Sequence, residues 1–191
     1  MGYNPDIHHR RSIRLRGFDY ASAGAYFVTV CTQGRECLFG DVVGGAMTVN
    51  DAGRMVATAW KQLPQRFPHI TLDTSIVMPN HMHGIIILND VGAGLGPPGL
   101  GPAFALSTED KGAASRAPTL GDIVCAFKSI STIEVNRLLS RSGIPLWQRN
   151  YFERVIRDER EMERAREYIV ANPLKWELDA ENPANHSPAS S

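Results

Sequence analysis

Residues 70–88 read ITLDTSIVMPNHMHGIIIL, and the fold turns on them. Ile70–Met78 is rich in β-branched residues and reads as a strand. Pro79–Asn80 reads as a turn, and His81–Leu88 as the strand that returns beside the first. Together they make an antiparallel hairpin. Its return strand holds His81 and His83 two residues apart, so both imidazoles project from one face and Met82 from the other. Two neutral imidazoles on one face can serve as two ligands of a divalent metal. The same pair is equally read as hydrogen-bonded or solvent-facing histidines, and a metal site needs a third ligand from elsewhere.

Outward from the hairpin, Ala25–Thr32 (AYFVTVCT) reads as a buried strand. Gly40–Asn50 suggests a turn and a small strand. Asn50 or Asp51 then caps a helix that carries Met55, Val56, Ala59, Trp60 and Leu63 on one face, with Pro64 and Pro68 bounding its end. Beyond the hairpin, Thr119 caps a second helix to about Leu139, with Ile123, Val124, Phe127, Ile130 and Val135 inward. Trp147–Ile156 is a strand or extended segment. Glu159–Ala171 is a charged amphipathic helix that stops near Pro173. Hairpin-joined strands alternating with helices predict an α+β sandwich, with helices on one face of an antiparallel sheet.

The 191 residues suffice for one domain with a real core and are marginal for two. We divide the chain into a basic arm at 1–24, a single domain at 25–178 and a disordered tail at 179–191. Residues 91–118, rich in glycine and proline with few large apolar side chains, read as a flexible insertion inside that domain. No apolar run approaches the roughly 20 residues a membrane span needs, and Met1–Arg16 lacks the apolar segment of a secretory signal. Cys31, Cys37 and Cys125 are odd in number and lack zinc spacing, which fits a reducing cytoplasm. Twenty basic and twenty acidic residues give zero formal charge, which argues against retention on nucleic acid by bulk electrostatics. Arg10, Arg11, Arg14 and Arg16 nevertheless cluster in the arm. Arg149, Arg154, Arg157, Arg160, Arg164 and Arg166 are interleaved with acids, as on a solvated helix face.

Tyr168 and Asn172 are spaced i,i+4 and share a helical face. A carboxamide oxygen there can complete a metal shell, and a tyrosine beside the metal can attack a phosphate. Alone, Tyr168 also reads as a half-buried core tyrosine and Asn172 as a helix C-cap. Tyr151 is a rival nucleophile, although an aromatic there also suits the core or a stacked base.

Four blocks in order, MPNHMH (78–83), FKS (127–129), LWQRNYFERVIRDE (146–159) and YIVANPLKW (168–176), resemble the REP-associated tyrosine transposases, in the single-tyrosine branch of the HUH endonucleases. The resemblance spans about Arg11 to Trp176. It implies a ferredoxin-like fold with a catalytic helix near the C-terminus. It also implies metal ligation by His81, His83 and Asn172, Tyr168 as nucleophile, and Mg²⁺ or Mn²⁺ as cofactor. Relatives in the wider branch often have glutamine where Asn172 stands. The implied substrate is single-stranded or hairpin DNA such as REP-like palindromes, nicked and rejoined through a 5′-phosphotyrosine by a monomer or homodimer. On this reading Arg10, Arg11, Arg14, Arg16, Lys128, Arg149 and Arg154 become candidate DNA contacts. Two other classes compete. A cupin-like oxygenase also uses His-x-His on a strand, but would show many short strands and a further sheet ligand. A binding module could keep the fold without the chemistry.

Overall fold

The computed structural model describes residues 23–89, 118–179 and 181–185; the arm through residue 22 and the insertion at 91–117 lie outside these. The chain runs β1 (Gly24–Cys31), β2 (Gly40–Val43), β3 (Ala46–Val49), α1 (Asp51–Lys61), the one-turn α2 (Leu63–Arg66), β4 (Ile70–Val77), β5 (His81–Leu88), α3 (Leu120–Leu138), β6 (Phe152–Ile156) and α4 (Glu159–Ala171). A 3₁₀ segment, Pro173–Leu178, follows α4.

The expected hairpin forms. β4 and β5 pair antiparallel, and Met78 N–H closes the turn on His81 C=O at 2.8 Å. β1 pairs with β5 along its whole length, from Gly24↔Leu88 to Cys31↔His81, and with β6 on its other edge. The resulting order, β4-β5-β1-β6, is the β-α-β-β-α-β ferredoxin-like arrangement, with α1 and α3 as its crossovers. β2 and β3 stand apart as a two-stranded hairpin where one small strand was expected. Its turn places Gly44 and Gly45 at φ of 58° and 76°, the mirror-image turn that matches strand twist.

Each long helix begins where a side chain can satisfy its free N–H groups. Asn50 accepts from Gly53 N–H, Thr119 and Asp122 form a reciprocal capping box, and Asp158 accepts from Glu161 N–H.

Two apolar layers result. Tyr26, Val28, Val30, Met82, Ile86 and Leu88 face α1 and α3, where Trp60 meets Phe127 edge-on with ring centroids 5.2 Å apart. Ile85 and Ile156 instead pack with Met162 and Ile169 of α4. The expectation of helices on one face therefore holds for α1 and α3, while α4 lies on the other. The physical reason is visible in β5: Ile85, Ile86 and Ile87 are consecutive, and a strand apolar at successive positions is covered on both sides. Arg166 ties α4 to the sheet, donating to Asp73 through Nε at 3.1 Å and Nη2 at 2.9 Å. Among the described residues, no helix is long and apolar enough to cross a membrane.

Candidate metal centre and active site

β5 delivers His81 and His83 to the face covered by α4, and both are buried. Their Nε2 atoms lie 3.0 Å apart. The Nδ1 atoms are engaged on the far sides of the rings. His81 Nδ1 meets Asn80 Oδ1 at 2.9 Å, and His83 Nδ1 meets Thr29 Oγ1 at 2.8 Å. The Asn80 amide orientation is fixed because its Nδ2 donates to the carbonyls of Arg35 (3.1 Å) and Glu181 (2.6 Å). Its Oδ1 is thus an acceptor, His81 must carry its proton on Nδ1, and the Nε2 lone pair points at His83. Burial pushes both imidazoles toward the neutral form. His83 is held well below its ordinary pKa, with the neighbouring His81 adding to the effect; for His81, Asp179 and Glu181 oppose burial in part.

Asn172 lies at the end of α4, fully buried. Its Nδ2 is 3.3 Å from His83 Nε2 and 3.4 Å from Asp179 Oδ2, while its Oδ1 has no hydrogen-bond partner among the described residues. A half-turn of the carboxamide exchanges nitrogen for oxygen and aims an acceptor at the imidazoles. Ligand atoms of His81, His83 and Asp179 all lie within 4.8 Å of one another. This donor set fits a divalent cation. Two nitrogens bound at right angles to one ion at about 2.1 Å would be about 3.0 Å apart, matching the observed spacing. Each ring is also oriented from behind, as metal-bound histidines are.

Tyr168 stands one helical turn before Asn172. Its ring meets His83 edge-on with centroids 5.2 Å apart, and Phe27 at 5.8 Å. The side chain is 42% exposed, so one side opens to a cleft of about 900 Å³. Burial raises the phenol pKa, Asp179 adds to this, and the Asn172 carboxamide opposes it. Cys31 also lines the cleft. It is pushed up to about 12 by burial and by Glu181, which keeps it a thiol rather than a thiolate.

The structure therefore brings together Tyr168, His81, His83 and Asn172. Tyr151 is half-buried against the main core and also lines the cleft. Arg154 lines the cleft, and its Nη2 lies 3.3 Å from Glu161; Arg149 is exposed. Lys128 stands apart from these. Its half-buried Nζ donates to the carbonyls of Gln148 (2.5 Å) and Arg149 (3.0 Å), so it braces the segment leading into β6 rather than presenting a free cation. Arg10, Arg11, Arg14 and Arg16 fall outside the described residues.

Asp179 and Glu181 correct the expectation of a disordered tail at 179–191 for the residues described there. Asp179 Oδ1 accepts from Glu181 N–H at 2.7 Å, Glu181 pairs with Arg35 at 2.8 Å, and Asn182 Nδ2 donates to Trp176 C=O at 2.9 Å. Burial alone would raise the Glu181 carboxyl, but the Arg35 guanidinium holds it below its ordinary range. The available signal was Asp179 and Glu181, two of the three acids just past Trp176, within reach of the histidines only once the 3₁₀ segment folds the chain back.

No protein-family model matches the chain. An uncharacterized protein of Haemophilus influenzae is 39% identical over 178 residues, covering 93% of this chain and 95% of that one. The chain belongs to the same family as that protein. Among solved structures, a REP-associated tyrosine transposase bound to a REP hairpin superposes with a TM-score of 0.53 at 18% identity, covering 85% of this chain and 73% of that one. The chain thus has the fold of a REP-associated tyrosine transposase, an α+β fold on a four-stranded antiparallel sheet. The cupin-like alternative does not fit this sheet.

Proposed function

We propose that this chain is a transposase-like, single-strand DNA nickase and strand transferase that works through a covalent bond to Tyr168. The carrying observation is that His83, Asn172 and the accessible Tyr168 line one cleft, with the Nε2 of buried His81 3.0 Å from that of His83 and the Asn172 Oδ1 buried without a hydrogen-bond partner among the described residues. The fold it shares with a transposase bound to a REP hairpin supports the same reading.

His81, His83 and Asn172 would hold the cation, with Asp179 as a further oxygen ligand. The mixed nitrogen and oxygen set suits Mn²⁺, and Mg²⁺ serves where it is more abundant. Such a cation supplies Lewis-acid polarisation of the scissile phosphate and opposes the burial and the Asp179 charge that raise the Tyr168 phenol. The helix end presents Tyr168 and Asn172 one turn apart, so the nucleophile is held beside the metal ligands. Tyr168 Oη forms a bond to phosphorus as the P–O3′ bond breaks. The phenol proton leaves to solvent in the cleft, and the departing 3′-oxygen takes one up. The 5′-phosphate remains on the tyrosine, conserving a bond that the 3′-hydroxyl of another strand can reclaim by the reverse exchange. Phe27, stacked on His83, and the edge contact between His83 and Tyr168 restrict ring movement during this exchange. Arg149 and Arg154 are DNA-backbone contacts in this reading, and a hairpin with unpaired flanks is the substrate.

The test is incubation with end-labelled hairpin DNA carrying single-stranded flanks, in Mg²⁺ or Mn²⁺, followed by denaturing electrophoresis. A protein–DNA adduct is expected from the wild type and from Tyr151→Phe, and none from Tyr168→Phe or His81→Ala. Loss in Tyr151→Phe alone would move the nucleophile. Tight binding with no adduct from any variant would leave a binding module.

A further inference from the structure

Resting on that reading, we propose that the open half of the sheet binds one unpaired nucleotide beside the scissile phosphate, its base on Phe152 and its backbone phosphate on Arg164. Thr29 pairs with His83 on one side and with Phe152 on the other, so the three side chains form one row across the face that carries the metal centre. Phe152 therefore sits two strand spacings, roughly 10 Å, from His83. α4 covers Ile85 and Ile156 but leaves Phe152 47% exposed, as a wall of the same cleft that Tyr168 enters.

A single exposed aromatic is ordinary on a protein surface. This one shares its cleft with Arg164 of α4, while the acids that also line it are Glu161, Asp179 and Glu181. Arg164 precedes Tyr168 by four residues, so it lies on the same ridge of α4, about 6 Å further along. It is exposed, lines the cleft, and makes no ion pair with a carboxylate among the described residues. Lys175 lines the cleft as well, and Arg154, two residues along β6 from Phe152, does so while paired with Glu161. A π-face sharing a cleft with the Arg164 guanidinium fits a flat heterocycle joined to a phosphate, which is a nucleotide. An aromatic platform accepts any base, so this subsite positions the strand without reading its sequence.

The experiment is an equilibrium titration by fluorescence anisotropy in Mn²⁺. The probe is a hairpin flanked on both sides by thymidine runs, compared with the same oligonucleotide made abasic at one flank position at a time. Tyr168→Phe serves as the parent so that no covalent step intervenes. Phe152→Ala should weaken binding on the order of tenfold, and Phe152→Trp should restore it. One abasic position should cost the parent the same factor and cost Phe152→Ala nothing further. Arg164→Gln should lower the slope of log affinity against log salt by about one and leave the abasic pattern intact. Unchanged affinity in Phe152→Ala, an abasic penalty that persists in it, or no binding of thymidine-flanked hairpins by the parent would each overturn the proposal. So would a shift in oligomeric state with unchanged DNA affinity, which would make this face a contact between copies. Adduct formation by otherwise wild-type Phe152→Ala with unchanged affinity would sink this subsite and leave the cleavage reading standing. The abasic pattern in a protein that never forms an adduct would do the reverse.

Discussion

Gly84→Ala tests how β5 is seated. Gly84 follows His83, and on its far side the strand backbone lies against the Trp60 indole. A β-carbon built there would fall 2.4 Å from Cζ2 and 2.8 Å from Cε2 of that ring. Carbon atoms pack at about 3.5–4.0 Å, so one of the two must yield by about 1 Å. β5 is hydrogen-bonded to β1 and β4 on both edges and cannot retreat, and Trp60 is wedged edge-on against Phe127. A forced shift of a buried side chain in a filled core costs about 1–3 kcal/mol, and we expect the upper half of that range because the indole has little free space. Urea unfolding of wild type and Gly84→Ala measures the loss. Trp60→Phe should destabilise the wild type by opening a cavity, yet should be less harmful, or even beneficial, in the Gly84→Ala background. A loss below about 0.5 kcal/mol, or strictly additive double-mutant energies, would mean that the indole and the Gly84 backbone are not in tight contact.

Three further outcomes follow from the same contacts. Mn²⁺ at one hundred times its dissociation constant should stabilise the wild type by about 2.7 kcal/mol, read as a rise in Tm that His81→Ala and His83→Ala both lose; an equal rise in either variant would place the ion elsewhere. Asn80→Ala should weaken Mn²⁺ affinity by roughly 10- to 100-fold by freeing His81 to turn. It should also release Glu181 to faster amide hydrogen exchange, and unchanged affinity by calorimetry would count against it. Asp73→Asn should lower Tm at neutral pH. Arg166 holds the Asp73 carboxyl well below the usual carboxylate range, so its stabilisation is complete above the unfolded carboxyl pKa, roughly 4, and fades as pH falls toward the folded one. The Tm gap between wild type and variant should therefore close on acidification, and a gap that widened would reverse the sign.

Much of this architecture was legible in the sequence because local signals agreed with the final packing. The 70–88 hairpin, the Asn50 and Thr119 caps and the limits of α4 all rest on period and capping chemistry, which nearby residues determine. Placement of the histidine pair followed from the two-residue period of a strand. What escaped was long-range. Which face α4 covers depends on how the chain leaves β6, and nothing within the helix records it. Asp179 reaches the histidines only through a 3₁₀ segment and an anchor on Asn80, 101 residues before Glu181. The bracing of the segment before β6 by Lys128 was also hidden, because its partners are backbone carbonyls, which a sequence does not display.

The register of β5 also separates the molecule into two poles. His81 sits opposite Cys31, whereas Leu88, at the other end, sits opposite both Gly24 and Ile70. Seven residues at about 3.3 Å each set these poles about 23 Å apart. The chain before Gly24 and the chain after Leu88 are both tethered at the pole remote from the imidazoles. Segment 91–117 is therefore the place to shorten, lengthen or replace with a reporter. Closing a longer connection costs little, about 0.6 kcal/mol per doubling, and the splice point after Leu88 is at the pole away from the imidazoles.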